Sequence, residues 1–93
     1  MKHHFTIQAN KEYKEWQQGN KKAFKKINDL IDDIKKNGYL SGIGKPEQLR
    51  YYKDPPRFSR HITKSDRLVY RPYTEVNENE LLIVSCKGHY DDK

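Results

Sequence analysis

Leu81-Leu82-Ile83-Val84-Ser85-Cys86-Lys87-Gly88-His89-Tyr90 is the most apolar stretch of the chain. Its aliphatic start has no polar alternation, which predicts a central strand covered on one face by other parts of the protein. The stretch then turns polar and delivers a histidine and a tyrosine to the strand's far end. Histidine exchanges a proton near neutral pH, so this sheet edge is where a chemical site is expected.

Upstream, two more strands are legible. Phe58-Ser59-Arg60-His61-Ile62-Thr63 sets Phe58, Arg60 and Ile62 on one face against Ser59, His61 and Thr63 on the other. A turn at Lys64-Ser65-Asp66 leads into Arg67 to Tyr73, and a polar turn from Thr74 to Asn79 leads into the apolar run. Such spacing, with short polar turns, predicts an antiparallel meander. Residues 38–57 read as a loop, loosened by Gly42 and Gly44 and barred from forming a long helix by Pro46, Pro55 and Pro56. Leu49, Tyr51 and Tyr52 should anchor it.

The N-terminal part is helical in pattern. Met1 to Phe5 can pair as a short strand, after which Thr6 or Asn10 can cap a helix carrying Ala9, Tyr13 and Trp16. Gly19-Asn20 punctuates. From about Lys21 to Asn37, Phe24, Ile27, Leu30, Ile31 and Ile34 form one stripe, with Lys35 and Lys36 suited to the helix C-terminus. The expected architecture is a single α+β domain over residues 1–93: an N-terminal strand, an antiparallel helix hairpin and an antiparallel β-meander. The helices cover one sheet face and leave the other for function.

The chain has 93 residues and a formal net charge of +6. Hydrophobic residues make up only 33%, so the core must be concentrated on a few elements. Basic side chains outnumber acidic ones eight to three over residues 41–74. That excess points to a polyanion such as nucleic acid, or to a solvated surface that keeps the protein soluble. The lone cysteine, Cys86, reads as a buried core thiol. No spanning run and no leader is visible, so a cytoplasmic location and no membrane partner are expected.

Parity puts Arg67, Val69 and Arg71 on one strand face, and Ser85, Lys87 and His89 on one face of the last strand. If those faces coincide, the sheet presents Arg, Lys and His together. Glu47 is the only acidic residue between Asp33 and Asp54 and lies in the basic region. A carboxylate base, a histidine acid and a cation suffice for metal-independent RNA cleavage. The base takes the 2′-hydroxyl proton, the acid protonates the leaving 5′-oxygen, and the cation holds the transition-state charge. No carboxylate cluster of the kind a metal nuclease uses is visible, and no cofactor is implied. The tyrosines can stack on bases or pack the sheet. The residues alone stop at a basic α+β domain that binds RNA or cleaves it.

Tyr13-x-x-Trp16-Gln17, Lys25-Lys26-Ile27-Asn28-x-Leu30-Ile31, Gly44-Lys45-Pro46-Glu47-x-Leu49, Ser59-Arg60-x-Ile62-Thr63, Arg67-Leu68-Val69-Tyr70 and Leu82-Ile83 through Cys86 to His89-Tyr90 recur together in one family. With these motifs the chain resembles a YoeB-type (Txe-type) toxin of the RelE superfamily over nearly its whole length. The resemblance implies a microbial-RNase-like fold and a ribosome-dependent endoribonuclease that cleaves mRNA in the A site and so inhibits translation. The implied catalytic set is Glu47 as general base, Arg67 stabilising the transition state, His89 as general acid and Tyr90 orienting the nucleotide or helping proton transfer. Lys45 and Arg60 are implied phosphate contacts, joined by Lys87 from the parity argument. Implied partners are a cognate acidic antitoxin of the YefM/Axe type, the ribosome with its mRNA, and a second copy in a homodimer.

The chain departs from that pattern at four places, one of them Phe58, where the family has tryptophan before the Ser-Arg segment. Asp66 stands where the family often has histidine, His61 where a second basic residue follows Arg60, and Asp91-Asp92-Lys93 extends past the histidine–tyrosine pair. The competing readings are a non-enzymatic RNA- or ribosome-binding inhibitor of translation and a toxin of the same fold aimed at gyrase.

Overall fold

In the computed structural model, residues 1–77 and 79–88 are described. Five strands and two helices follow one another as β1 (His3–Phe5), α1 (Ile7–Gly19), α2 (Lys21–Asn37), β2 (Glu47–Lys53), β3 (Pro56–His61), β4 (Arg67–Pro72) and β5 (Leu81–Ser85). The sheet order is β1-β5-β4-β3-β2. β2 to β5 pair antiparallel in sequence order, while β1 joins β5 in parallel as an edge strand. The protein is thus α+β with a mixed five-stranded sheet, and β5 is internal as its unbroken apolar run requires.

Local chemistry sets the helix ends. Of the two candidate caps, Thr6 is the one used: its hydroxyl accepts the Ala9 N–H at 3.0 Å and donates to the Val84 carbonyl at 2.8 Å. Asn20 terminates α1 and caps α2 through its side chain, accepting from Ala23 N–H. One residue therefore makes the hairpin turn, and Tyr13 meets Phe24 and Asn28 across it. Ala23, Ile27, Leu30, Ile31 and Ile34 pack against Phe58, Leu68, Tyr70, Leu81 and Ile83. Cys86 lies in the same core, and burial pushes its thiol up to about 12, so it is an inert packing group.

The loop expectation for residues 38–57 is only half right. Residues 38–46 form the loop, but Glu47–Lys53 is the edge strand β2, paired with β3 through Glu47↔Ser59 and Gln48↔Phe58. The prolines stand at strand ends rather than inside a ladder: Pro46 precedes β2, and the cis Asp54–Pro55 peptide lies in the turn before Pro56 opens β3. The prolines do bar a helix here, but Pro55-Pro56 also makes a hairpin turn between two strands.

Candidate functional site on the open sheet face

Strand register decides which side chains share the uncovered face. Phe58, Tyr70 and Ile83 are cross-strand neighbours in the core. Their alternates therefore face away from the helices. Across that second face Glu47 pairs with Ser59, Ser59 with Val69 and Val69 with Ser85. One row thus crosses four strands. Arg67 and His61 form the next row, in direct register. By strand spacing and rise, the Glu47 and Arg67 backbones stand roughly 12 Å apart. The floor between them is the small, buried Ser59 and Val69, with longer charged side chains around it.

Ser85 reaches this face because β5 carries a bulge. β4 advances one residue from Val69 to Tyr70 while β5 goes from Ser85 to Ile83. The extra residue, Val84, moves Ser85 to the face opposite Ile83. In an unbroken strand Leu81, Ile83 and Ser85 would all point the same way. The bulge lets the strand pack its start against the helices and turn Ser85 to the open face.

The loop that leads to Glu47 is held by a buried ionic anchor. The Arg60 side chain is fully buried, and all five of its N–H groups are used. Nε donates to the Tyr70 hydroxyl (2.9 Å). Nη1 donates to Asp33 Oδ2 (2.5 Å) and to the Ile43 carbonyl (3.0 Å). Nη2 donates to the Gly38 and Ser41 carbonyls (2.8 Å each). The expectation that Arg60 contacts phosphate is therefore corrected: parity places it with Phe58 and Ile62 on the covered face, and no donor is left over. The Arg60 hydrogen bond holds the Asp33 carboxyl below its ordinary value, and Asp33 also accepts the Ile43 N–H. Burial pushes the Tyr70 phenol up, so it stays neutral and donates to the Tyr39 carbonyl at 2.6 Å.

That anchor shapes the loop that carries Lys45 and leads into Glu47 at the start of β2. A Cβ on Gly42 would sit 1.8 Å from Asp33 Oδ2, and one on Gly44 2.6 Å from Leu30 Cδ2, so both positions need glycine. Gly44 also takes a positive φ of +82°, followed by Lys45 at +53°. The Gly44 carbonyl accepts the His61 N–H at 2.7 Å and so docks the loop on β3. Lys45 and Glu47 emerge exposed at its end.

The opposite end of the site is tied differently. The Arg67 backbone N–H donates to the Gly88 carbonyl (3.0 Å), and its Nη1 meets the carbonyls of Thr63, Lys64 and Asp66 at 3.1–3.3 Å. Asp66 Oδ1 accepts the Gly88 N–H (2.7 Å) and Oδ2 the Thr63 hydroxyl (2.7 Å). Asp66 therefore laces the β3–β4 turn to the residue preceding His89. Glu12 on α1 adds a second tie: its carboxylate is buried and accepts the Cys86 N–H at 2.8 Å. The Trp16 indole donates to the Cys86 carbonyl at 2.7 Å.

These ties overturn the expectation for Lys87. The chain leaves the ladder at Cys86, so strand parity no longer applies. Lys87 Nζ lies 3.1 Å from Glu15 and over the Trp16 ring, on the helix side and away from the Arg67 row. His89, Tyr90 and the 91–93 extension lie outside the described residues. His61 is the residue the sequence reading undervalued. The alternation that sends Arg60 inward sends His61 to the open face beside Arg67, and that signal was available.

The whole site, from Glu47 to the end of β5, falls within residues 5–90, which match a family described as the YoeB-like toxin of bacterial type II toxin–antitoxin systems. Toxin YoeB of Escherichia coli K12 is 40% identical over 79 residues, covering 85% of this chain and 87% of the relative. The structure of a YoeB dimer from Staphylococcus aureus superposes with a TM-score of 0.84 at 44% identity, covering 97% of this chain and 98% of that one. A YoeB–YefM complex from the same organism gives 0.82 at 44% identity and the same coverage. With the same fold and this level of identity over almost its full length, the chain belongs to the YoeB-like toxins of bacterial type II toxin–antitoxin systems.

Proposed function

We propose that the protein is a metal-independent, ribosome-dependent endoribonuclease that cleaves mRNA in the A site and so arrests translation. The observation that carries this reading is the shared face of Glu47 and Arg67, a carboxylate and a guanidinium across a small-residue floor. A phosphodiester seated there would have its 2′-hydroxyl against Glu47, which removes the proton. Arg67 would meet the charge that grows on the phosphorane oxygens; its Nη1 rests on carbonyls, which orient the guanidinium without neutralising it. His89 supplies the proton to the 5′-oxygen and Tyr90 orients the nucleotide. Lys45, exposed beside Glu47, tracks the backbone phosphate.

The partners follow from the same reading: the ribosome and mRNA, an acidic YefM/Axe-type antitoxin that folds across the basic face, and a second copy of the chain, all in the cytoplasm. The solved complex of a similar toxin with YefM, and the dimer of that toxin, support the last two. Among the described residues no helix is long and apolar enough to cross a membrane.

Mapping message 5′ ends in a translating extract tests the reading. Wild type should create new ends, and Glu47→Ala, Arg67→Ala and His89→Gln should each suppress them while remaining folded. Arrest of translation without new ends would instead establish the occupancy mechanism. New ends from the triple variant would show that these residues are not the catalytic set.

A further inference from the structure

The open face continues past the Glu47 row to a cleft of about 380 Å³ at the tip of the β2–β3 hairpin. It is lined by Tyr51, Tyr52, Lys53, Arg57 and Arg71, with Asp54 and Glu75 among its walls. Arg57 lies two residues along β3 from Ser59, the partner of Glu47, so it shares that face about 7 Å further along the strand. Its guanidinium is stacked 4.5 Å from the Tyr52 ring centroid, which fixes the plane of the cation. Arg71 is already neutralised by a bidentate pair with Glu75, whose carboxyl it holds down at about 2. That leaves Lys53 and Arg57 against the single carboxylate of Asp54. Beside them Tyr51 is 63% exposed, a large ring that contributes little to the core.

We propose that this cleft is a subsite for one nucleotide of single-stranded RNA flanking the cleaved bond, the base stacking on Tyr51 and the phosphate meeting Arg57 and Lys53. The proposal rests on the ribonuclease reading above. An aromatic platform beside cations is the arrangement by which single strands are bound without reading their sequence. Its place along the strand from Glu47 puts it where the next nucleotide of a bound strand would lie.

The test measures the Kd of the full chain for a short fluorescent oligoribonucleotide by anisotropy, alongside message cleavage in a translating extract. Tyr51→Ala and Arg57→Ala should each weaken binding about tenfold, and Tyr51→Phe should retain it. In the extract the two alanine variants should need more protein for half-maximal cleavage while reaching the same maximum. Lys22→Ala removes one exposed charge from the helix side and should leave Kd unchanged. Unchanged affinity in Tyr51→Ala and Arg57→Ala, an equal loss from Lys22→Ala, or no oligonucleotide binding by wild type overturns the subsite. If wild-type cleavage persists in that case, only the subsite falls; if it is absent as well, the ribonuclease reading falls with it.

Discussion

The two ends of the open face are held by different physics. At the Glu47 end, one buried guanidinium gathers a carboxylate, a phenol and three loop carbonyls. At the Arg67 end, the chain around Gly88 is held by separate single hydrogen bonds from Asp66, Glu12 and Trp16. A single buried ion with every donor satisfied fails all at once when one partner goes, because an uncompensated charge is left in the interior. Single hydrogen bonds fail one at a time, each at a modest cost. The first end should therefore behave as part of the folding core, and the second as an adjustable mount for the end of β5.

The largest effect expected is at Arg60. Arg60→Met should lower stability by about 3–5 kcal/mol in chemical denaturation, through the stranded Asp33 carboxylate and three freed carbonyls. Arg60→Lys should not restore it, since an ammonium cannot reach five acceptors in the guanidinium plane. The same pair sets an acid limit. Asp33 has a lower pKa folded than unfolded, so its stabilising share is complete well above the ordinary value of 3.8. That share should be lost as the pH falls through 3.8 and on through the folded value. Asp33→Asn should flatten this part of the stability profile. If Arg60→Met unfolds no more readily than Asp66→Ala, the contrast between the two ends is wrong.

Next come the groups on the face itself. Glu47→Ala should cost about 10²–10⁴-fold in message cleavage, the usual share of a general base. Arg67→Ala should cost about 10²–10³-fold, as the loss of one transition-state donor does. Neither should move stability by more than about 0.5 kcal/mol, because both side chains lie at or near the surface rather than in the core. An activity loss from either variant that tracks its unfolding would assign these residues to the scaffold.

What the sequence made legible, and what it hid, divides along the same line. Helical and strand periodicities carried the α2 stripe, β3 to β5 and the common face of Arg67 and Val69, because each depends only on repeating geometry. Arg60 was misplaced because charge alone does not reveal burial, and Lys87 because the chain leaves the ladder at Cys86, where strand parity stops. Phe58 and Ile62 flank Arg60 on the covered face, and that parity outweighs the expectation that arginine is exposed. β2 was hidden by its prolines, and the bulge at Val84 by the uniform apolarity around it. Glu12 offered no signal at all: only the tertiary fold brings its carboxylate to a strand end more than seventy positions away. Glu12→Ala should cost about 1–3 kcal/mol by leaving the Cys86 N–H buried and unsatisfied, and denaturation of that variant beside Glu15→Ala measures it.

The smallest effect expected is at Asp66. Asp66→Ala removes the acceptor of the Gly88 N–H and of the Thr63 hydroxyl, and should cost about 1 kcal/mol. Asp66→Asn keeps an oxygen on the same carbon, so it should retain most of that stability. Amide hydrogen exchange separates the two roles of the residue. The Gly88 amide should exchange faster in Asp66→Ala and near the wild-type rate in Asp66→Asn, while the Leu81 and Ile83 amides stay protected in both. If exchange at Gly88 rises equally in both variants, the negative charge rather than the acceptor geometry holds the end of β5. If it rises in neither, the Arg67 N–H to Gly88 carbonyl bond suffices on its own, and the aspartate is free to act on whatever approaches the open face.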